Sequence, residues 1–215
     1  KGYIEHELIA EDILPEIDYE SSPKRSFFSP HVYVILNSFT HKGKTNKMLG
    51  GVEELYKHNF SFINHLNLDK PSAEIKSVVD SILSTTNKND SLEVATKLFY
   101  WVQDHIKYIA IEDGLGGYVP RKPNDVIRWR YGDCKDKAAL LHYMFKSAGL
   151  TSNLCWIGTR DIPYRYEELP LMASSNHMIL AWKYKGNWLY LDATAEMLPM
   201  GYPSIFTQSK EALIS

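Results

Sequence analysis

The sequence predicts an α+β fold in which a block of helices precedes an antiparallel sheet. Three observations carry that class. Apolar residues recur at helical spacing between Ser72 and Gly149. From Asn153 onward the pattern changes to short β-branched and aromatic runs. The turn Lys185-Gly186-Asn187 joins two of those runs as a hairpin, which makes their strands antiparallel.

Taken in order, residues 1–45 read as extended, interrupted by Pro15, Pro23 and Pro30, with His31-Val32-Tyr33-Val34-Ile35-Leu36 as a strand. Residues 51–66 are weakly helical through Val52, Leu55, Tyr56, Phe60 and Ile63. A clearer helix starts at Pro71-Ser72, with Ser72 as N-cap and Ile75, Val78, Val79, Ile82 and Leu83 at helical spacing. After a polar loop, Ser91 to His105 forms the next helix, with Ala95, Leu98, Phe99, Val102 and Ile106 on one face. Gly114, Gly116 and Gly117 mark a loop without the Gly-Lys-Ser/Thr ending of a phosphate-binding loop, which excludes a nucleotide site there. A short helix from Pro123 leads to the turn Tyr131-Gly132-Asp133-Cys134. Asp133 then caps a strong helix, with Asp136 placed three residues later as in a capping box. Ala138, Leu141, Phe145 and Ala148 line that helix, and Gly149 ends it. Asn153 to Thr159 is a strand, 160–174 a loop, and His177–Tyr184 with Trp188–Asp192 the hairpin.

The chain has 215 residues, enough to bury a sizeable core, and its 44% hydrophobic and 23% charged content is that of a globular protein. A net charge of −2 supplies no field to attract nucleic acid or an anionic membrane, so no nucleic-acid partner is expected. No apolar run reaches the ~20 residues that cross a bilayer, so no membrane span is expected in this segment. The chain opens at Lys1 and not at methionine, as expected of a piece of something longer. Two cysteines do not make a disulfide framework, and no Cys/His pair has zinc-site spacing. No metal and no cofactor are expected.

Cys134 stands where a tight turn becomes a helix. A thiol there feels the positive end of the backbone dipole and unpaired N–H groups, and both favour the nucleophilic thiolate. Its neighbours are charged, unlike those of Cys155, which sits among Leu154, Trp156 and Ile157 and reads as core. A thiol nucleophile needs a base and a group that orients the base. His177 opens the first hairpin strand and Asp192 closes the second. Alone, each is an ordinary polar or turn residue; in the order Cys, His, Asp behind a helix-start cysteine they form a candidate triad. The two share a sheet face only if the turn has an even number of residues. A four-residue loop, Tyr184 to Asn187, would pair Lys183 with Trp188 and Ile179 with Asp192. His105 and His142 lie on helices without partner patterns, and His6, His31, His41, His58 and His65 are weaker still. Tyr164 and Tyr166 are candidates to line a substrate cleft. Arg121, Lys122, Arg128, Arg130, Lys135 and Lys137 alternate with acids and read as a solvated face.

The runs Tyr131-Gly132-Asp133-Cys134-Lys135-Asp136-Lys137, Asn176-His177 and Trp188-Leu189-Tyr190-Leu191-Asp192-Ala193-Thr194 resemble the transglutaminase-like superfamily, in particular its bacterial branch, where the core follows a β-rich N-terminal domain. The resemblance is firm over about residues 90–195. It implies a papain-like core over 46–215 with the nucleophile helix packed on an antiparallel sheet, and residues 1–45 as the tail of the preceding domain. It implies Cys134 as nucleophile, His177 as base and then acid, and Asp192 as the group that orients the imidazole. The implied chemistry is acyl transfer on a peptide-like amide, by hydrolysis or transamidation through a thioester, on a peptide or protein substrate such as cell-wall peptide. A non-catalytic peptide- or glycan-binding module on the same fold is the alternative. Resemblance to bacterial proteins of exported architecture implies an extracytoplasmic location. The oxyanion is expected to meet the Cys134 backbone N–H, with a second donor from Tyr108–Tyr118 or from Gln103.

Overall fold

A computed structural model of the chain describes residues 5–13, 24–47, 50–67 and 70–215; Pro15 and Pro23 lie outside this set. The strand expected at His31–Leu36 is absent: the segment carries no ladder, and Val32, Val34 and Leu36 are exposed. β propensity alone cannot hold a strand whose backbone groups meet no neighbour. The chain pairs just beyond it instead, β1 (Ser38–His41) with β2 (Lys44–Lys47), around a Lys42-Gly43 turn in which both residues have positive φ.

The helical block follows the sequence closely because its caps are written into it. Helix α1 (Val52–Ile63) is followed by α2 (Ala73–Ser84), where Ser72 Oγ accepts from the Ile75 N–H at 3.3 Å. Helix α3 (Ser91–His105) is capped by Asp90, which accepts from Leu92 and Glu93 N–H. A two-residue strand β3 (Lys107–Tyr108) and a short helix α4 (Pro123–Trp129) come next, and Arg130 in the left-handed region ends α4. Strand β4 (Tyr131–Gly132) pairs in parallel with β3, setting Tyr108 opposite Gly132, and leads directly into α5 (Cys134–Ser147).

Helix α5 is the centre of the core. Leu140, Leu141, Met144 and Phe145 are fully buried, and they share one apolar cluster with residues of α2, α3 and α4 and with Leu154, Trp156, Leu180 and Trp182 of the sheet. Burying each such side chain contributes roughly 1.5–3 kcal/mol, so packing rather than propensity fixes the helix. Its C-terminus is a Schellman motif: Leu150 N–H reaches Phe145 O at 2.9 Å and Gly149 N–H reaches Lys146 O at 3.2 Å, with Gly149 at φ +80°.

The sheet contains β5 (Ser152–Ile157), β6 (His177–Tyr184), β7 (Asn187–Leu191) and β8 (Ala212–Ile214) in the order β7-β6-β5-β8, all antiparallel. Side-chain alternation gives it two apolar faces. One meets α5; the other holds a small cluster of Cys155, Ile157, Ile179 and Ala181. The hairpin turn is two residues long, Lys185-Gly186, not four, because Tyr184 also pairs with Asn187. Both turn residues have positive φ, as this tight turn requires. Lys183 nevertheless stands opposite Trp188, the register predicted, since two and four are both even. Alternation therefore puts His177 and Asp192 on one face.

The start of α5 is held by a reciprocal cap. Asp133 accepts from Asp136 N–H at 3.3 Å, and Asp136 accepts from Asp133 N–H at 3.1 Å. Asp136 also accepts from the Arg121 backbone N–H at 2.7 Å and pairs with the Arg121 guanidinium. Both carboxylates are fully buried. Gly132 is required for space: a Cβ there would lie 2.6 Å from Asp136 Cβ. Removing one partner of a buried charge pair costs about 3–5 kcal/mol, so Asp136→Ala is expected to lower stability by about that amount in urea denaturation. Gly132→Ala should lose roughly 1–3 kcal/mol by overpacking; an unchanged urea midpoint would show that Asp136 can move without penalty.

Candidate active site

Cys134 is the first residue of α5, buried and unpaired, at the edge of a cleft of about 470 Å³ that His177 also lines. His177 and Asp192 meet across the β6–β7 hairpin, with Nε2 2.9 Å from Asp192 Oδ2. The other oxygen of Asp192 accepts from Thr194 N–H at 3.1 Å and Thr194 Oγ1–H at 2.5 Å. Sequence reasoning gave Thr194 no role, although an acceptor two residues before a threonine is the pattern of an Asx turn. The Phe206 ring stands edge-on to His177, with centroids 5.3 Å apart.

The electrostatics of this corner are those of an ion pair. Burial opposes charge on His177, but its hydrogen bonds to Asp192 and Cys134 outweigh burial and carry its pKa up to about 10. Burial likewise opposes ionisation of Asp192, yet the bonds from His177 and Thr194 hold its carboxyl below the ordinary value. Cys155 is the contrast: buried on the sheet face turned away from α5, its thiol is pushed up to about 12 by desolvation, so it stays neutral. His142 is part-buried, bonded to Ser152 Oγ at 3.0 Å and driven down to about 4 by desolvation, and His105 stacks on Trp101.

Three expectations are corrected and a fourth is narrowed. Gln103 is not free to hold an oxyanion, because its amide donates to Ala195 O at 2.6 Å and Leu198 O at 3.1 Å and so braces that loop. Within Tyr108–Tyr118, the Tyr108 phenol is pushed up to about 12 by burial and then by Cys134, so it remains an O–H donor. Tyr164 and Tyr166 line a separate cavity beside Lys210 and Glu211, and the Tyr166 hydroxyl donates to Trp156 O at 3.1 Å. Lys135 and Lys137 are buried rather than solvated. Lys137 donates to Ile106 O at 2.7 Å, and burial lowers it to about 8.

Lys135 also bears on metal binding. Glu112, Asp133 and Cys134 each bring a potential ligand atom within 4.8 Å of the others. The Lys135 ammonium already bonds Asp133 and lies 3.8 Å from Glu112, so the positive charge these carboxylates require is supplied by the chain.

The sequence pattern of the transglutaminase-like superfamily matches residues 76–193, more than half of the chain. The chain belongs to that superfamily. No curated protein matches it. Among solved structures, this transglutaminase-like core is similar to a candidate protease from Parabacteroides distasonis, at 14% identity and a TM-score of 0.53, over 76% of this chain and 32% of that one. It is also similar to a candidate cysteine protease from Cytophaga hutchinsonii (16% identity, TM-score 0.43, 62% of this chain and 42% of that one). Calcium-bound LapG of Legionella pneumophila is a third (15% identity, TM-score 0.41, 70% and 76%). The Parabacteroides likeness is one of fold, and the chain spans about a third of that protein. Among the described residues, no helix of this transglutaminase-like chain is long and apolar enough to cross a membrane.

The raised pKa of His177 has a measurable sign. A base whose pKa rises from 6.5 to about 10 on folding stabilises the native state fully below pH 6.5, and that stabilisation is lost as pH climbs to about 10. The difference in urea midpoint between wild type and His177→Gln should therefore be largest near pH 6 and shrink steadily toward pH 10. A difference independent of pH in that window would show that His177 is not held protonated.

Proposed function

We propose that residues 46–215 form a catalytic core that transfers an acyl group from a peptide-like amide to water or an amine, with Cys134 as nucleophile. The observation that carries this reading is the position of His177, which is hydrogen-bonded to Asp192 and lines the same open cleft as Cys134, close enough for the thiol to help raise its pKa. Nε2 is committed to Asp192, so Nδ1 is the nitrogen left to exchange a proton with the thiol. In the attacking form the proton resides on His177, and Asp192 offsets its charge.

The Cys134 thiolate attacks the amide carbonyl and forms a tetrahedral oxyanion. The Cys134 backbone N–H at the start of α5 is one donor to that oxygen, and Tyr108 is the candidate second. His177 passes its proton to the leaving amine, the C–N bond breaks, and a thioester remains on Cys134. His177, now neutral, takes a proton from the incoming water or amine, which attacks the thioester. The carboxylic acid or new amide leaves, and the proton returns the pair to its starting state. Hydrolysis is the preferred outcome, because water needs no second binding site.

Iodoacetamide separates this reading from a non-catalytic module. Cys134 should be alkylated rapidly and Cys155 hardly at all, with His177→Ala slowing the reaction at Cys134. Loss of the base should cost turnover on the order of 10²–10⁴-fold, measured as peptide products from a proteome-derived library, and Cys134→Ala should abolish it. Alkylation of Cys134 at the rate of an ordinary thiol, indifferent to His177→Ala, would leave the module reading standing instead.

A further inference from the structure

Helix α1 precedes the segment matched by the superfamily and carries an anomaly in its pattern. Its buried stripe is Leu55, Asn59 and Ile63, spaced four residues apart. Such a stripe faces the core and asks for apolar side chains. Asn59 stands in its middle and is only 2% exposed. Among the described residues its carboxamide has no hydrogen-bond partner in the protein. The two other carboxamides near the site do: Gln103 holds Ala195 and Leu198, and Asn176 accepts from Thr159 N–H at 2.9 Å while donating to Thr159 Oγ1 at 3.0 Å. A buried amide left unpaired costs about 1–3 kcal/mol, so its retention calls for a reason.

The amide of Asn59 is not sealed into the core. The one fully sealed side-chain polar atom without a partner among the described residues is Ser147 Oγ. What little exposure Asn59 has opens into the cleft that it lines together with Cys134 and His177. The same wall includes Phe62, stacked on Tyr118 at 5.7 Å, so the amide is framed by aromatic rings.

We propose that Asn59 is a substrate-anchoring residue whose carboxamide pairs with a backbone amide of a peptide seated beside Cys134. A carboxamide offers one acceptor and two donors on one small planar group, which matches the N–H and C=O of a peptide unit. A site built to hydrogen-bond its substrate leaves its own groups unpaired until the substrate arrives. The inference rests on the acyl-transfer reading of the cleft and extends it to α1.

The test uses Asn59→Leu, which keeps the branched heavy-atom skeleton of the side chain and completes the apolar stripe. Three quantities are read: urea stability, the rate of Cys134 alkylation by iodoacetamide, and the rate of labelling by a panel of N-acetyl-dipeptidyl chloromethyl ketones relative to chloroacetone. The expected result is unchanged or higher stability, an unchanged iodoacetamide rate, and peptidyl labelling reduced on the order of tenfold, the equivalent of about one hydrogen bond. Asn59→Gln should recover part of the loss. A less stable Asn59→Leu would make the residue structural and overturn the proposal. Peptidyl labelling as fast as in wild type would overturn it too, as would a wild type that prefers no peptidyl reagent over chloroacetone. An ordinary iodoacetamide rate in wild type would instead sink the acyl-transfer reading, and the peptidyl comparison would still decide the anchor, since affinity labelling requires only that the peptide be seated.

Discussion

The site depends on one buried carboxylate. Asp136 receives the Asp133 N–H, the Arg121 N–H and the Arg121 guanidinium, so it joins the first turn of α5 to the segment that leads out of the cleft loop. Arg121 in turn donates to Ile111 O at 2.7 Å, which extends the tie to the far side of that loop. Burying charges is expensive, and an apolar cluster of equal volume would often be as stable. What the ionic cap provides is position: it allows one geometry for the turn Gly132-Asp133-Cys134, and Gly132 leaves room for no larger residue against Asp136. Asp133 is pushed upward by burial and pulled back by the Lys135 ammonium, so the acid that starts the helix has its counter-charge two residues away.

The second support comes from the sheet, independently of the first. His177 and Asp192 lie fifteen residues apart and are joined by a hairpin whose parity decides whether they meet. Ile157 stands opposite His177, so β5 fixes the strand start as firmly as β7 fixes Asp192. Helix α5 packs on β5 and β6, and this shared core aligns the two supports. The thiol is placed locally by a cap and the imidazole by a register, and the core they share sets the two against each other.

Legibility in the sequence followed the range of the interaction. Caps act over three residues, so Ser72 and the Asp133–Asp136 box could be read directly, as could the Gly149 terminator. The hairpin register could be read because parity survives an error of two in the loop length. Strand β8 could not: its three residues are held by pairing with β5, Cys155 opposite Ile214, and carry no periodicity of their own. His31–Leu36 failed in the opposite sense, with strong β propensity and no neighbour to pair with. The alternating charges at 133–137 suggested a solvated face because a sequence does not show which charges will find partners inside. Lys135 finds Asp133, Lys137 finds a carbonyl, and Asp136 finds Arg121.

The same reasoning separates Asn59 from those buried charges, although all of them break the apolar pattern. Lys135, Lys137, Asp133 and Asp136 are each satisfied within the protein, so their burial is explained by the geometry they impose at the start of α5. Asn59 imposes nothing: among the described residues its carboxamide bonds to no neighbour, and a leucine would serve its stripe better. Local rules that fail with compensation mark structure, and those that fail without it mark sites where the missing partner comes from outside. On that criterion the cleft is bounded on the α1 side as well as by α5 and the hairpin, and the proposed anchor lies ahead of the matched segment.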